Sequence, residues 1–301
     1  MITVLLGLTG ALAYGFADFA GGLAARGRRA LVVTTLTSTL GILPLLIGLL
    51  VLGGRFTADA LLWGSVAGVS GSIAVLLLYA ALATGPMSVL SPLTSVFAAL
   101  LPVLVGVALG ARLSPLAIGA IIVAIGAVIL VSSARNTSGA RVTIRGVLAA
   151  AISGCGFGGI VLAYDLTSPR DGVGPLVIAR VVQAVLITFA MLATRRRAAA
   201  STRAAASIRA DGSTRADGRA RFWWLVLACG VLDATANIFI QAALHSNVAD
   251  PTTLPTVSVL NALYPIGTIV LASIVLRERL GGLQITGIGL GIAASAVLAL
   301  S

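Results

Sequence analysis

Three ionisable side chains stand inside long apolar stretches of this chain: Asp18, Arg180 and Asp233. A charge in hydrocarbon is costly, so such groups ordinarily face a protein interior or a water-filled path and mark function there. Two carboxyls and one guanidinium can form a buried ion pair, relay a proton or clamp a charged solute. Asp233 is followed by Asn237 and Gln241 at i+4 and i+8, which sets three polar groups on one helix face. Tyr14 precedes Asp18 by one turn, so both can line one wall. Gln183 lies one turn beyond Arg180, whose planar fork suits a substrate carboxylate or phosphate, or a permanent pairing with Asp18 or Asp233. Tyr79, Ser95, Ser258 and Tyr264 complete the set of substrate-binding or coupling candidates, as hydroxyls carried into apolar surroundings.

The composition removes other chemistries. All 20 basic residues are arginine, so no lysine is present to form a retinal or pyridoxal Schiff base. The single histidine, His245, argues against a bis-histidine haem or a histidine-rich metal site. Cys155 and Cys229 both fall in apolar segments, where small packing residues are expected. No Walker loop, nucleophile elbow, zinc signature or dinucleotide fingerprint stands in the right context. No cofactor and no metal are expected, and any active transport must run on a gradient.

The elements that position these residues are membrane helices. Hydrophobic residues make up 58% of the 301 and charged residues 10%, against about 25% charge in a soluble domain. Apolar runs of twenty or more residues recur from end to end, and a backbone in lipid must satisfy its own hydrogen bonds. The turn chemistry predicts an all-α integral membrane protein of ten helices: 2–25, 30–53, 59–84, 86–110, 113–134, 143–166, 172–194, 222–246, 252–276 and 280–300. The first, carrying Asp18 and no basic leader, reads as a retained helix rather than a signal peptide.

The chain also repeats itself. Pro92-Leu-Thr-Ser95-Val96-Phe-Ala-Ala99-Leu100-Leu-Pro102 returns as Pro255-Thr-Val-Ser258-Val259-Leu-Asn-Ala262-Leu263-Tyr-Pro265, at an offset of 163 residues. Gly7 and Gly15 match Gly146 and Gly154 more weakly. The halves are 1–136 and 141–301, five helices each. An odd number of spans inverts one half against the other, the arrangement that alternating access exploits. The prolines Pro92, Pro102, Pro255 and Pro265 are expected to break or bend the two matching helices and to turn the freed carbonyls toward protein or cavity. Between the seventh and eighth helices, 195–221 is rich in Arg and Ala and is expected to be a flexible cytoplasmic linker against lipid headgroups. Without aromatic stacking partners it offers nothing to a nucleic acid. Loops on one side carry sixteen arginines, and those on the other carry Arg55, Arg112 and Arg170. The positive-inside rule then places both termini outside. Gly287, Gly289 and Gly291 in the last helix would serve a homodimer seam or internal packing equally.

Several segments resemble the EamA-type transporters of the drug/metabolite transporter superfamily. Ala13-Tyr14-Gly15-Phe16-Ala17-Asp18-Phe19 is similar to the family's aromatic-Gly opening. Gly85 to Pro102 and Asn247 to Pro265 resemble its connections into the fourth and ninth helices. Leu276-Arg277-Glu278-Arg279-Leu280 resembles its Gly-Glu-Arg-Leu end of the ninth, and Ile178-Ala-Arg180-Val its seventh-helix arginine. The chain departs from the pattern at Gly110-Ala111-Arg112-Leu113, which lacks the glutamate, and at Thr35, which stands where arginine is frequent. The family is usually drawn with both termini in the cytoplasm, the reverse of the arginine count. The resemblance implies two five-helix repeats and the transport of amino-acid-like, nucleoside-like or drug-like metabolites, with export common. The expectation is a non-enzymatic, multi-pass secondary transporter of the plasma (inner) membrane, with protons as a coupling ion. Its cavity is expected among the first, third, fourth, sixth, eighth and ninth helices. An intramembrane enzyme using Asp18 and Asp233 as paired carboxylates, and a non-transporting scaffold, are the alternatives.

Overall fold

A computed structural model of the protein describes residues 1–25, 28–84, 87–132, 143–202, 216–275 and 282–300. The apolar runs form α-helices, as a backbone without water must. In chain order they are α1 (Ile2–Ala25), α2 (Ala30–Leu40), α3 (Ile42–Leu52), α4 (Ala58–Thr84), α5 (Met87–Ala108), α6 (Pro115–Ser132), α7 (Ile144–Asp165), α8 (Gly174–Thr202), α9 (Ala216–Leu244), α10 (Thr253–Asn261), α11 (Tyr264–Val275) and α12 (Gly282–Leu300). Short 3-10 turns at Pro169–Asp171 and His245–Asn247 follow α7 and α9. No strand occurs among the described residues; the one extended pairing is an isolated bridge between Gly54 and Gly172.

Two stretches expected as single helices are each interrupted, and the cause is the same. The second predicted helix divides into α2 and α3 at Gly41, and the ninth into α10 and α11 at Ala262–Leu263. α2 ends at Leu40, four residues before Pro44; α10 ends at Asn261, four before Pro265. Proline offers no N–H to that carbonyl, and its ring crowds it. Gly41 N–H still closes the last α-helical turn on the Thr37 carbonyl at 2.9 Å, whereas the chain tightens at the second gap, where Leu263 N–H donates to the Leu260 carbonyl at 3.1 Å. The two proline-bearing copies therefore differ. α5 runs unbroken through Pro92 and Pro102.

The expected linker 195–221 is also shorter than predicted. α8 continues to Thr202 and α9 begins at Ala216, because Ala and Arg are strong helix formers. The segment 203–215 lies outside the described residues, as do the turns at Gly85-Pro86 and 133–142 and the stretch 276–281 that holds Glu278.

The bundle holds polar side chains within an apolar core and turns large apolar ones outward. Phe189 and Trp224 are exposed, as are Leu5, Leu50 and Ile122, while Arg180, Gln183, Asn237, Gln241 and Asn261 are buried. Six helical stretches are long and apolar enough to cross a bilayer: Ile2–Ala25, Ala30–Leu52, Ala58–Leu78, Ile144–Asp165, Gly174–Thr194 and Gly218–Asn247. The chain is a multi-pass membrane protein.

α1 packs most extensively on α9, and α4 on α7 and α8; α5 lies against α7 and α10, and α6 against α12. Missing side chains permit the closest approaches. A Cβ on Gly15 of α1 would run into the Tyr264 carbonyl oxygen at the head of α11. One on Gly154 of α7 would strike the Thr94 carbonyl of α5. Hydroxyls tie helices as well: Thr268 of α11 donates to the Gly15 carbonyl of α1 at 2.8 Å, and Ser153 of α7 to the Ala74 carbonyl of α4 at 2.7 Å.

One end of the bundle is stapled. The Asp171 carbonyl accepts from Arg55 N–H at 3.0 Å, Val173 N–H donates to the Gly53 carbonyl at 3.1 Å, and the Thr57 hydroxyl donates to Asp171 Oδ1 at 3.0 Å. These bonds join the α3–α4 turn to the α7–α8 connection. Gly172 makes the approach possible: its φ is +50°, and a Cβ there would lie 2.6 Å from the Gly53 carbonyl oxygen.

Candidate functional site

The packing leaves a cavity at the middle of the bundle, with about 760 Å³ of unfilled space when the part continuous with solvent is counted. α1 supplies Tyr14, Ala17 and Asp18, and α8 supplies Arg180 and Gln183. α9 contributes Cys229, Asp233 and Ile240, while α10 and α11 contribute Asn261 and Tyr264 on either side of their break. Phe157 and Tyr164 come from α7, Val75 and Leu78 from α4, Ala98 from α5, and Thr37 and Ser38 from α2. Among the described residues, α6 and α12 give it no lining.

The three charges are unequally placed. Arg180 pairs with Asp233 through Nη2 and Oδ2, and its Nη1 donates to Gln183 Oε1 at 2.9 Å. Gly41, at the α2–α3 break, lies beside the guanidinium: a Cβ there would stand 3.4 Å from Arg180 Nε and 3.2 Å from the Gly230 carbonyl oxygen. Gly230 on α9 backs onto the same spot, and a Cβ there would lie 2.9 Å from the Thr37 carbonyl oxygen. The Arg180 side chain is 9% exposed and that of Asp233 24%, so the pair is held inside the bundle. Such a pair balances its own charge, and removing one partner strands the other.

Asp18 is different. It lines the same cavity yet forms no hydrogen bond or ion pair with any described residue. One cation thus faces two carboxyls and binds one of them. Asn261 is 8% exposed, and its Oδ1 is buried without a hydrogen-bond partner. An amide oxygen left in that state costs free energy unless something else satisfies it.

Six of the residues singled out from sequence meet here: Tyr14, Asp18, Arg180, Gln183, Asp233 and Tyr264. The polar stripe on α9 does not act as one wall. Asn237 Nδ2 donates to the Asp233 backbone carbonyl at 2.8 Å, and Gln241 Nε2 to the Thr167 hydroxyl at 3.4 Å, near His245 and away from the cavity lining. Ser258 bonds back to the Leu254 carbonyl of its own helix at 2.7 Å, and Ser95 is fully buried in α5 without reaching the cavity. The side chains of Tyr79 and Pro92 lie outside the described residues. Pro102 packs toward Gly158 of α7, and Pro255 toward Gly106 of α5. The expected set of helices lacked two contributors, since α2 and α8 both enter the cavity. Thr37, Ser38, Phe157, Tyr164 and Asn261 were not singled out. The repeat did carry a signal for Asn261, because it stands where the first copy has Ala98.

The profile of the EamA-like transporter family matches residues 144–300. The chain belongs to this family. The EamA-like family is part of the drug/metabolite transporter superfamily, and the chain is accordingly a membrane transporter of that type. No curated protein matches it. Among 27 solved chains that match is a crystal structure of a protein with a TM-score of 0.69. It covers 99% of this chain and 96% of its own length at 17% identity, a likeness of fold alone. The EamA-like match lies in the second half, which holds Arg180, Asp233 and Asn261; Asp18 comes from outside it.

Proposed function

We propose that this EamA-like protein is a secondary active transporter that exports a small metabolite across the plasma membrane by alternating access, with Asp18 as the group that exchanges a proton for substrate. The observation that carries the reading is the central cavity, built from both halves of the chain, in which one carboxyl is neutralised and the other faces open space. A proton and a substrate can compete for a carboxylate that no protein cation occupies. In this reading the gradient supplies the work.

Ten membrane-spanning units follow if α2–α3 and α10–α11 each count as one. The contacts support two repeats in exchanged roles: α1 packs on α9 as α7 packs on α4, and α1 meets α11 as α7 meets α5. α6 with α12, and α5 with α10, pair across the halves. The arginine-rich loops would face the cytoplasm. Aspartates at the seam of two such repeats can change partners when the repeats rock.

The test is tracer flux from proteoliposomes under an imposed pH gradient. An inward proton gradient should accelerate efflux, and Asp18→Asn should abolish that acceleration. Flux indifferent to the gradient removes proton coupling, and normal transport by Asp233→Asn removes the site.

A further inference from the structure

The unpartnered amide at the α10–α11 break says what kind of solute the cavity is built for. Asn261 is more than nine-tenths buried, lines the cavity, and presents Oδ1 with no hydrogen-bond partner among the described residues. It sits at the end of α10, where Pro265 stops the helix. α1 packs against this break, so the wall that holds Asn261 and Tyr264 adjoins the wall that holds Tyr14 and Asp18. Asp18 likewise has no hydrogen-bond or ionic partner among the described residues. The cavity therefore offers two unsatisfied acceptors, while its guanidinium is already committed to Asp233 and Gln183. With all three ionised, the lining carries one net negative charge. Tyr14, Tyr264, Tyr164 and Phe157 add aromatic surface around it.

We propose that Asn261 and Asp18 form the recognition site for a protonated primary or secondary amine on an apolar or aromatic body, an ammonium N–H donating to the Asn261 amide oxygen and the Asp18 carboxylate supplying the balancing negative charge in the same cavity. The inference rests on the transport reading only for the step that follows binding. An anion is disfavoured, because the cation that would receive it is occupied. A quaternary ammonium would meet the charge of Asp18 and the aromatic faces but could not satisfy the amide, since it has no N–H.

That difference gives the test. Binding of 2-phenylethylamine, its N,N,N-trimethyl derivative and 2-phenylethanol is measured on the purified full-length protein by calorimetry at neutral pH. The wild type should bind the primary amine about tenfold or more tightly than the trimethyl compound, and the alcohol more weakly than either. Asn261→Val removes the acceptor and, being β-branched, keeps a poor helix former at the break; it should erase the distinction between primary and quaternary amines. Asn261→Asp, which keeps an acceptor, should retain it. Asp18→Asn should weaken both cations by about tenfold or more. Unchanged helical content and monodisperse elution of each variant establish that it has folded. Equal binding of the alcohol and the amine overturns the proposal, as does a primary-amine preference that survives Asn261→Val. Proteoliposome flux of the same compounds separates the two readings. Amine bound but not moved sinks transport and leaves the site standing; flux of neutral or anionic solutes with no amine binding sinks the site and leaves transport standing.

Discussion

α5 and the pair α10–α11 are two copies of one sequence pattern, and they fold differently. Both carry Ser-Val, a small residue and a leucine ahead of a proline. α5 passes through Pro102 as a single helix, whereas its counterpart stops before Pro265. The residue four positions before the proline differs between the copies: Ala98 in α5, Asn261 in α10. Alanine is the best helix former and tolerates a strained turn, while asparagine competes with the backbone for hydrogen bonds. Both side chains line the cavity, so the repeat delivers a methyl group from one copy and an amide from the other to the same space. The break at Gly41 is a second comparison. It too precedes a proline by a few residues, but its surroundings are saturated by the Arg180–Asp233 pair. A proline alone does not break a helix, since α5 runs through two.

The largest effect should come from breaking the saturated side. Asp233→Ala leaves Arg180 buried without its counter-charge and should destabilise the fold by about 3–5 kcal/mol, read as a fall in melting temperature, with the double variant Arg180→Met/Asp233→Ala recovering much of it. Gly15→Val should come next. It drives a branched side chain into the Tyr264 carbonyl, prising α1 from the open break at a cost of about 1–3 kcal/mol and distorting substrate binding. Ala98→Asn writes the second copy's residue into the first; burying an amide without a partner there should cost about 1–3 kcal/mol, and a neutral result would show that α5 accepts the break. The smallest effect has the opposite sign. Asn261→Ala removes an unsatisfied acceptor and adds helix propensity, so it should raise stability by up to about 1 kcal/mol while impairing amine binding. A loss of stability in that variant would mean the amide already has a partner.

Much of this was legible in the residues. Helix positions followed from apolar length and turn chemistry, and Asp18, Arg180 and Asp233 announced themselves by their charge in hydrocarbon. What sequence could not divide was the face of α9. Spacing puts Asp233, Asn237 and Gln241 on one side, but a helix of 29 residues passes several neighbours, and each polar group meets a different one. Hydroxyls were equally opaque: Ser95, Ser258, Thr37 and Ser38 all suit a helix interior, and only packing shows that the last two reach the cavity. Pro44 was readable as a break signal in the same way as Pro265. It was missed because it has no counterpart in the repeat.

The bridge between Gly54 and Gly172 stiffens one end of the bundle. At this arginine-poor end, three hydrogen bonds lace the α3–α4 turn to the α7–α8 connection. Each laced bond is worth about 0.5–1.5 kcal/mol net. A swing that parts these two connections therefore climbs a steep slope, and the residue that lets them meet is a glycine.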